Sequence, residues 1–382
     1  MRLRRGFQPG AAGDRNVGSV TQLPQINGLR GIAIIGVLSY HIIAGVFTRG
    51  GLPPSLSVLL TNGWSGVNLF FILSGFVLFL PYAAGYRSVE ELAKPFEFYR
   101  RRCWRLLPLL YIGTIGAWTL AVLGGMAGDP SRLLPVLSLT FFLGAASFSP
   151  AFNMPMWSVG DEIAFSALFP VLALGFRRHG VLRIVTAALV VALAMRSGGI
   201  SRFPALQGPT FNSDMFVCRI DEFVLGMALA QAYATGRLPR RPLLCAAIGG
   251  ALMIFAWTGF DLVLRGELPP ICRALLNDLL DAGLVAIVVA ALVPGTRLAA
   301  MLAWRPLQVT GMMCYSIYMW HLPILNTIAT DRATVSWWLF GVMIAEFLVV
   351  TFIIAALSYR FIEFPRIADW RRLFLLRVPV QV

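Results

Sequence analysis

Apolar residues run along this chain in long blocks, punctuated by short arginine-bearing segments. A membrane-crossing helix needs about 20 mostly apolar residues. Read with that window, stretches of this kind lie near 28–47, 66–84, 106–127, 156–176, 181–197, 214–235, 243–264, 274–294, 308–329 and 336–359. The pattern predicts an all-α integral membrane protein with about ten transmembrane helices. A further run, 133–148, is apolar but short and flanked by proline, and reads as re-entrant or interfacial. With the N-terminus placed in the cytoplasm, 24 Lys and Arg fall in segments on the inner side and 7 on the outer. That asymmetry predicts that both termini are cytoplasmic. The expected organisation is one polytopic membrane domain over 28–365, between cytoplasmic tails 1–27 and 366–382 that are too short to fold alone. The first run is long, has no small-x-small site after it and contains His41, so it reads as a span and not as a cleavable signal peptide. No inverted repeat of broken helices stands out, which weighs against a transporter.

Composition sharpens this picture. Hydrophobic residues make up 58% of the 382 and charged residues only 13%, against roughly 25% charge in a soluble domain. A soluble enzyme, a disordered chain and a secreted disulfide scaffold are excluded, and the lipid bilayer is the first partner implied. The net charge of +14 comes from arginine, Lys94 being the single lysine. A nucleic-acid binder needs a basic face on a folded soluble domain; here the arginines sit between spans, as topology signals do, so no nucleic-acid partner is expected. The five cysteines are scattered without a Cys-x-x-Cys pair. They read as buried thiols, with no metal site and no disulfide framework.

Ionisable side chains inside spans are costly and mark candidate function. Arg30 and His41 are 11 residues apart, which on a helix is about 20° from three full turns and a rise of about 16 Å. Both therefore lie on one stripe of the first span. Imidazole is the side chain suited to taking a proton near neutral pH, although a span histidine is as readily a satisfied helix contact and Arg30 a topology anchor. Arg102 and Arg105, in the run Phe98 to Pro108, share a helix face and could grip a phosphate through forked contacts, or could serve topology alone. In Trp157-Ser158-Val159-Gly160-Asp161-Glu162, one carboxylate is expected to face solvent or cap the helix, with Glu162 turned inward to orient an imidazole. His321, beside Tyr318 and Trp320, reads either as a substrate contact or as a membrane-interface anchor. His179 lies in a turn and reads as non-functional. Asp221 with Glu222, Asp278 with Asp281, and Glu346 carry no assigned role, and any of them can simply pair with an arginine inside the bundle.

Five blocks together resemble the membrane-bound acyltransferase 3 family. They are Leu29 to Ala33 with His41; Gly66 to Phe76; Tyr99 to Pro108; Trp157 to Phe165 with Pro170; and Tyr318 to Pro323 followed by Ser358 to Pro365. The resemblance implies an enzyme that moves an acyl group from acyl-CoA, acetyl-CoA by default, onto a hydroxyl of a glycan, glycolipid or hydroxylated small molecule. Acyl-CoA would be a co-substrate, with no permanently bound cofactor. It also implies that Arg30 and His41 are the family's essential Arg-His pair, that Arg102 and Arg105 match its arginine motif, and that Glu162 matches its glutamate after Trp-Ser. Asn68, Ser166 and Leu322 depart from the usual Asp or Glu, Tyr and Trp, leaving the roles of those positions open. No extra periplasmic domain is expected after Val382. On this reading the donor's phosphates dock against Arg102, Arg105 and Arg30, its arm runs up the seam, and His41 acts as general base or acyl carrier. The alternatives are a proton-coupled transporter or lipid flippase, and a non-catalytic membrane scaffold.

Overall fold

The computed structural model describes residues 23–43, 61–203, 209–329, 337–367 and 370–375, and among them the regular structure is entirely helical. The long helices are α1 (Pro24–Ile42), α2 (Gly66–Ala83, led by a 3-10 turn Asn62–Ser65), α3 (Phe96–Leu123), α4 (Met156–His179), α5 (Val181–Arg202), α6 (Phe216–Ala234), α7 (Pro242–Leu264) and α8 (Cys272–Leu292). They are followed by α9 (Arg305–Met312), α10 (Cys314–Ala329) and α11 (Trp337–Ser358), which runs on into a π-helical turn, Tyr359–Glu363. The expected tails fall largely outside the described residues, as do positions 44–47 of the first expected span.

Seven helices among the described residues are long and apolar enough to cross a membrane: α2 with its leading turn, α3, α4, α5, α7, α8 and α11 with its π-turn. The remaining expected spans correspond to α1, α6 and the pair α9–α10. Their shortfall has a physical cause. Helix α1 carries Gln25, Asn27, Arg30 and His41, α6 carries Arg219, Asp221 and Glu222, and 308–329 is broken at Met313. These three helices carry ionisable groups that face the bundle interior instead of lipid. The run 133–148 forms only short turns, with Val136, Phe141 and Phe148 buried and Phe148 packed 5.9 Å from Trp157 at the start of α4.

Burial sorts the helices into layers. The apolar stretches of α2 and α8 are 61% buried, those of α5 and α7 only 17%, so α2 and α8 form the centre and α5 and α7 face outward. In lipid there is no hydrophobic drive between helices, and close approach depends on small residues. Where α2 crosses α6, a Cβ at Gly226 would overlap the carbonyl oxygen of Ile72, and one at Gly75 that of Phe223. Backbone cannot move aside as a side chain does. Gly226→Val is therefore expected to destabilise the protein by about 1–3 kcal/mol or more, read as a lowered thermal midpoint in detergent.

Candidate active site

The site is built around α10. Pro323 inside this helix has no N–H to give the carbonyl of Met319 one turn earlier, and the Asn153 amide supplies that donor at 3.0 Å. Within this turn the ring Nδ1 of His321 lies 2.7 Å from the carbonyl oxygen of Tyr318. A carbonyl only accepts, so Nδ1 carries the proton. In the neutral ring this leaves the lone pair on Nε2, which has no hydrogen-bond partner among the described residues. His321 is completely buried, which rules out the anchor reading at a membrane–water boundary.

The His41 ring lies 5.0 Å from that of His321, tilted by 51°. The Tyr40 ring also lies at 5.0 Å, edge-on. His41 is part-buried and forms part of the wall of a cavity of about 550 Å³, together with Tyr318, Asn68, Trp64, Trp157 and Phe260. The cavity is made from the end of α1, the starts of α2, α4, α6 and α8 and the ends of α5 and α7, so it opens at one end of the bundle. His41 thus stands between this cavity and the buried His321.

The stripe expected on α1 is present. His41 meets His321 on α10, and Arg30 acts electrostatically on Cys314, seven residues earlier on the same helix. Seven residues are about two turns, so both side chains look toward one neighbour. Arg30 has no hydrogen-bond or ion-pair partner among the described residues.

Arg102 and Arg105 line a second recess of about 210 Å³ where the end of α2 meets the start of α3. The two cavities have no lining residue in common. Arg102 is ion-paired with Glu162, and its Nε donates to the Ser166 hydroxyl at 3.0 Å. Glu162 also accepts from Ser74 at 2.6 Å. It therefore lies with Arg102 and Ser74, not beside an imidazole. The expected inward and outward positions at 161 and 162 are reversed: Asp161 is completely buried and Glu162 is part-exposed. Successive helical residues point about 100° apart, and both faces of α4 start out equally polar, so the sequence does not say which one turns inward. Arg105 is ion-paired with Glu363 and sits over the Phe364 ring at 4.9 Å, and Glu363 also accepts from Ser316. Glu363 is a site residue the motif reading quoted without a role; the π-helical turn that displaces it inward was the missing signal.

The wall of the large cavity includes members of a buried ionic cluster. Arg219 donates to Asp214 at 2.5 Å, Glu222 at 2.7 Å and Asn277 at 3.1 Å. Arg196 pairs with Asp221 at 2.9 Å and Asp278 at 2.7 Å. The Asn68 amide donates to Asp281 at 2.8 Å, Asn277 at 3.1 Å and Glu222 at 3.2 Å. One oxygen each from Asp221, Asp278 and Asp281 falls within 4.8 Å of the others, and Arg196 supplies positive charge to two of them. Of these acids, Asp221, Asp278 and Glu222 pair with arginines, whereas Asp281 is held by the amides of Asn68 and Asn277. Of the cysteines, Cys218 is buried, Cys245, Cys272 and Cys314 are part-buried and Cys103 is exposed, so the uniform expectation of buried thiols is not met.

The model of a family described as an acyltransferase domain matches residues 23–360. The peptidoglycan O-acetyltransferase OatA of Listeria monocytogenes is 26% identical over 366 residues, covering 90% of this chain and 55% of that protein. The putative peptidoglycan O-acetyltransferase YrhL of Bacillus subtilis is 26% identical, covering 93% and 56%. The O-acetyltransferase OatA of Staphylococcus aureus is 25% identical, covering 90% and 57%. The chain spans about half the length of these curated relatives. No solved structure matches it.

Proposed function

Because the chain belongs to the acyltransferase domain family, we propose that it transfers an acetyl group from acetyl-CoA to a hydroxyl of a glycan. It is a multi-pass membrane protein, with apolar helices around an ionisable interior. The observation that carries the reading is the His41–His321 pair at the wall of the large cavity. The relatives' names favour a cell-wall glycan as acceptor, and so do the cavity's aromatic rings set among amide and charged groups, the kind of lining that takes a sugar.

The arginine-rich end faces the cytoplasm on this reading, and the donor's phosphates enter the recess to which Arg102 and Arg105 contribute. Arg30, farther along the α1 stripe, stabilises negative charge along the donor's path. The acceptor occupies the large cavity. His41 removes the proton of its hydroxyl as the oxygen attacks the thioester carbonyl. The C–O bond forms, the C–S bond breaks, and the thiolate takes the proton back from the imidazole. His321, its proton held on Nδ1 by the Tyr318 carbonyl, presents an Nε2 lone pair to the site and packs against the ring that does the chemistry. Glu162 positions Arg102. Since the two cavities share no lining residue, bringing donor and acceptor together requires the helices between them to move apart.

The test is mass spectrometry of cell-wall glycans from cells with and without the gene, joined to labelled acetyl-CoA supplied to the purified protein in liposomes. Loss of an acetyl ester together with label transfer is the expected result. Substrate flux in liposomes without acetyl-CoA, and no change in esters, would replace the reading with a transporter.

A further inference from the structure

The recess between the end of α2 and the start of α3 holds four arginines: Arg87, Arg101, Arg102 and Arg105. Two of them are already committed. Arg102 is held by Glu162 and Ser166, and Arg105 by Glu363 and the Phe364 ring. The side chains of Arg87 and Arg101 have no hydrogen-bond or ion-pair partner among the described residues. Neighbouring Arg100 is spent on Glu97 at 2.7 Å, outside the recess. Two uncompensated guanidiniums thus converge on one concavity whose remaining walls are mostly apolar, including Tyr82 and Phe98. Low-dielectric walls concentrate their field. Two free positive charges with forked donors match a phosphate-bearing group better than a single carboxylate.

We propose that Arg87 and Arg101 make the direct contacts to a phosphate group in this recess, whereas Arg102 and Arg105 are held in place by their carboxylates and contribute through their field. This rests on the reading of a CoA donor for the source of the phosphate. An anionic phospholipid headgroup offers the same chemistry at the same membrane face, and the experiment separates the two. Neither side chain supports a neighbour, so substitution leaves the fold intact, which a thermal melt of each variant checks.

The protein is placed in nanodiscs of phosphatidylcholine, with and without phosphatidylglycerol, and binding of labelled CoA is measured for the parent chain and for the double variant Arg87→Gln, Arg101→Gln. The expected result is CoA binding weakened about tenfold or more, the scale of lost charge-assisted hydrogen bonds, in both lipid compositions. The charge-preserving double variant Arg87→Lys, Arg101→Lys should lose less. If the parent chain binds no CoA but retains phosphatidylglycerol, and the double variant does not, the phosphate site stands with a lipid as its ligand and the donor reading falls. If the parent chain binds CoA and the Gln variant binds it equally, the assignment of Arg87 and Arg101 is overturned while the donor reading survives.

Discussion

His321→Asn is expected to lower acetyl transfer by about 100-fold or more while leaving the amount and melting behaviour of the protein unchanged. Asparagine keeps an amide donor near the position of Nδ1, and so keeps the bond to the Tyr318 carbonyl. It removes the Nε2 lone pair, the only ring atom of His321 without a partner among the described residues. The substitution therefore separates the histidine's chemistry from its packing. His41→Ala should be at least as damaging, since removing a positioned general base costs typically 10²–10⁴-fold. Turnover is read with labelled acetyl-CoA and a glycan acceptor. A His321→Asn protein with near-parental turnover, beside an inactive His41→Ala protein, would reduce His321 to a packing residue and leave His41 to act alone.

Arg219→Met should be the most destabilising single change in the interior. It strands Asp214 and Glu222, both buried, and removes a donor to Asn277. Breaking a buried ion pair from one side costs about 3–5 kcal/mol, because the remaining charge is left without compensation in low dielectric. The expected result is loss of folded protein after extraction, or a large drop in thermal midpoint. Combining Arg219→Met with Asp214→Asn and Glu222→Gln should recover much of the loss, since removing both signs of a buried pair is often near neutral. Failure of the triple variant to recover, with the single variant lost, would mean that Arg219 stabilises chiefly through its stacking 5.6 Å over Trp157.

Much of this architecture was legible from the chain alone. Apolar runs located the helices, because a span must bury its backbone polar groups in its own hydrogen bonds and coat them with apolar side chains. Where the count fell short, at α1, α6 and α9–α10, the reason was itself in the sequence: these are the runs interrupted by Arg30, His41, Arg219, Asp221, Glu222 and the break at Met313. The alignment of Arg30 with His41 was also readable, since helical periodicity alone sets which residues share a face. Two of the three positions that the motif reading left open, Asn68 and Ser166, gained structural roles. Asn68 ties α2 to the acids of α6 and α8, and Ser166 accepts from Arg102.

What the sequence determined by itself is local and one-dimensional: which segments are helical, which are apolar enough for lipid, and which side chains share a stripe. Only the tertiary structure decided the partners. His41 meets His321 from 280 positions away, Glu162 goes to Arg102 and not to an imidazole, Asp161 turns inward, and Glu363 is carried onto Arg105 by a π-helical turn. Periodicity fixes the direction in which a side chain leaves its helix. Which helix stands in that direction is set by the packing of the whole bundle, through close approaches such as Gly226 on Ile72 that no single segment encodes.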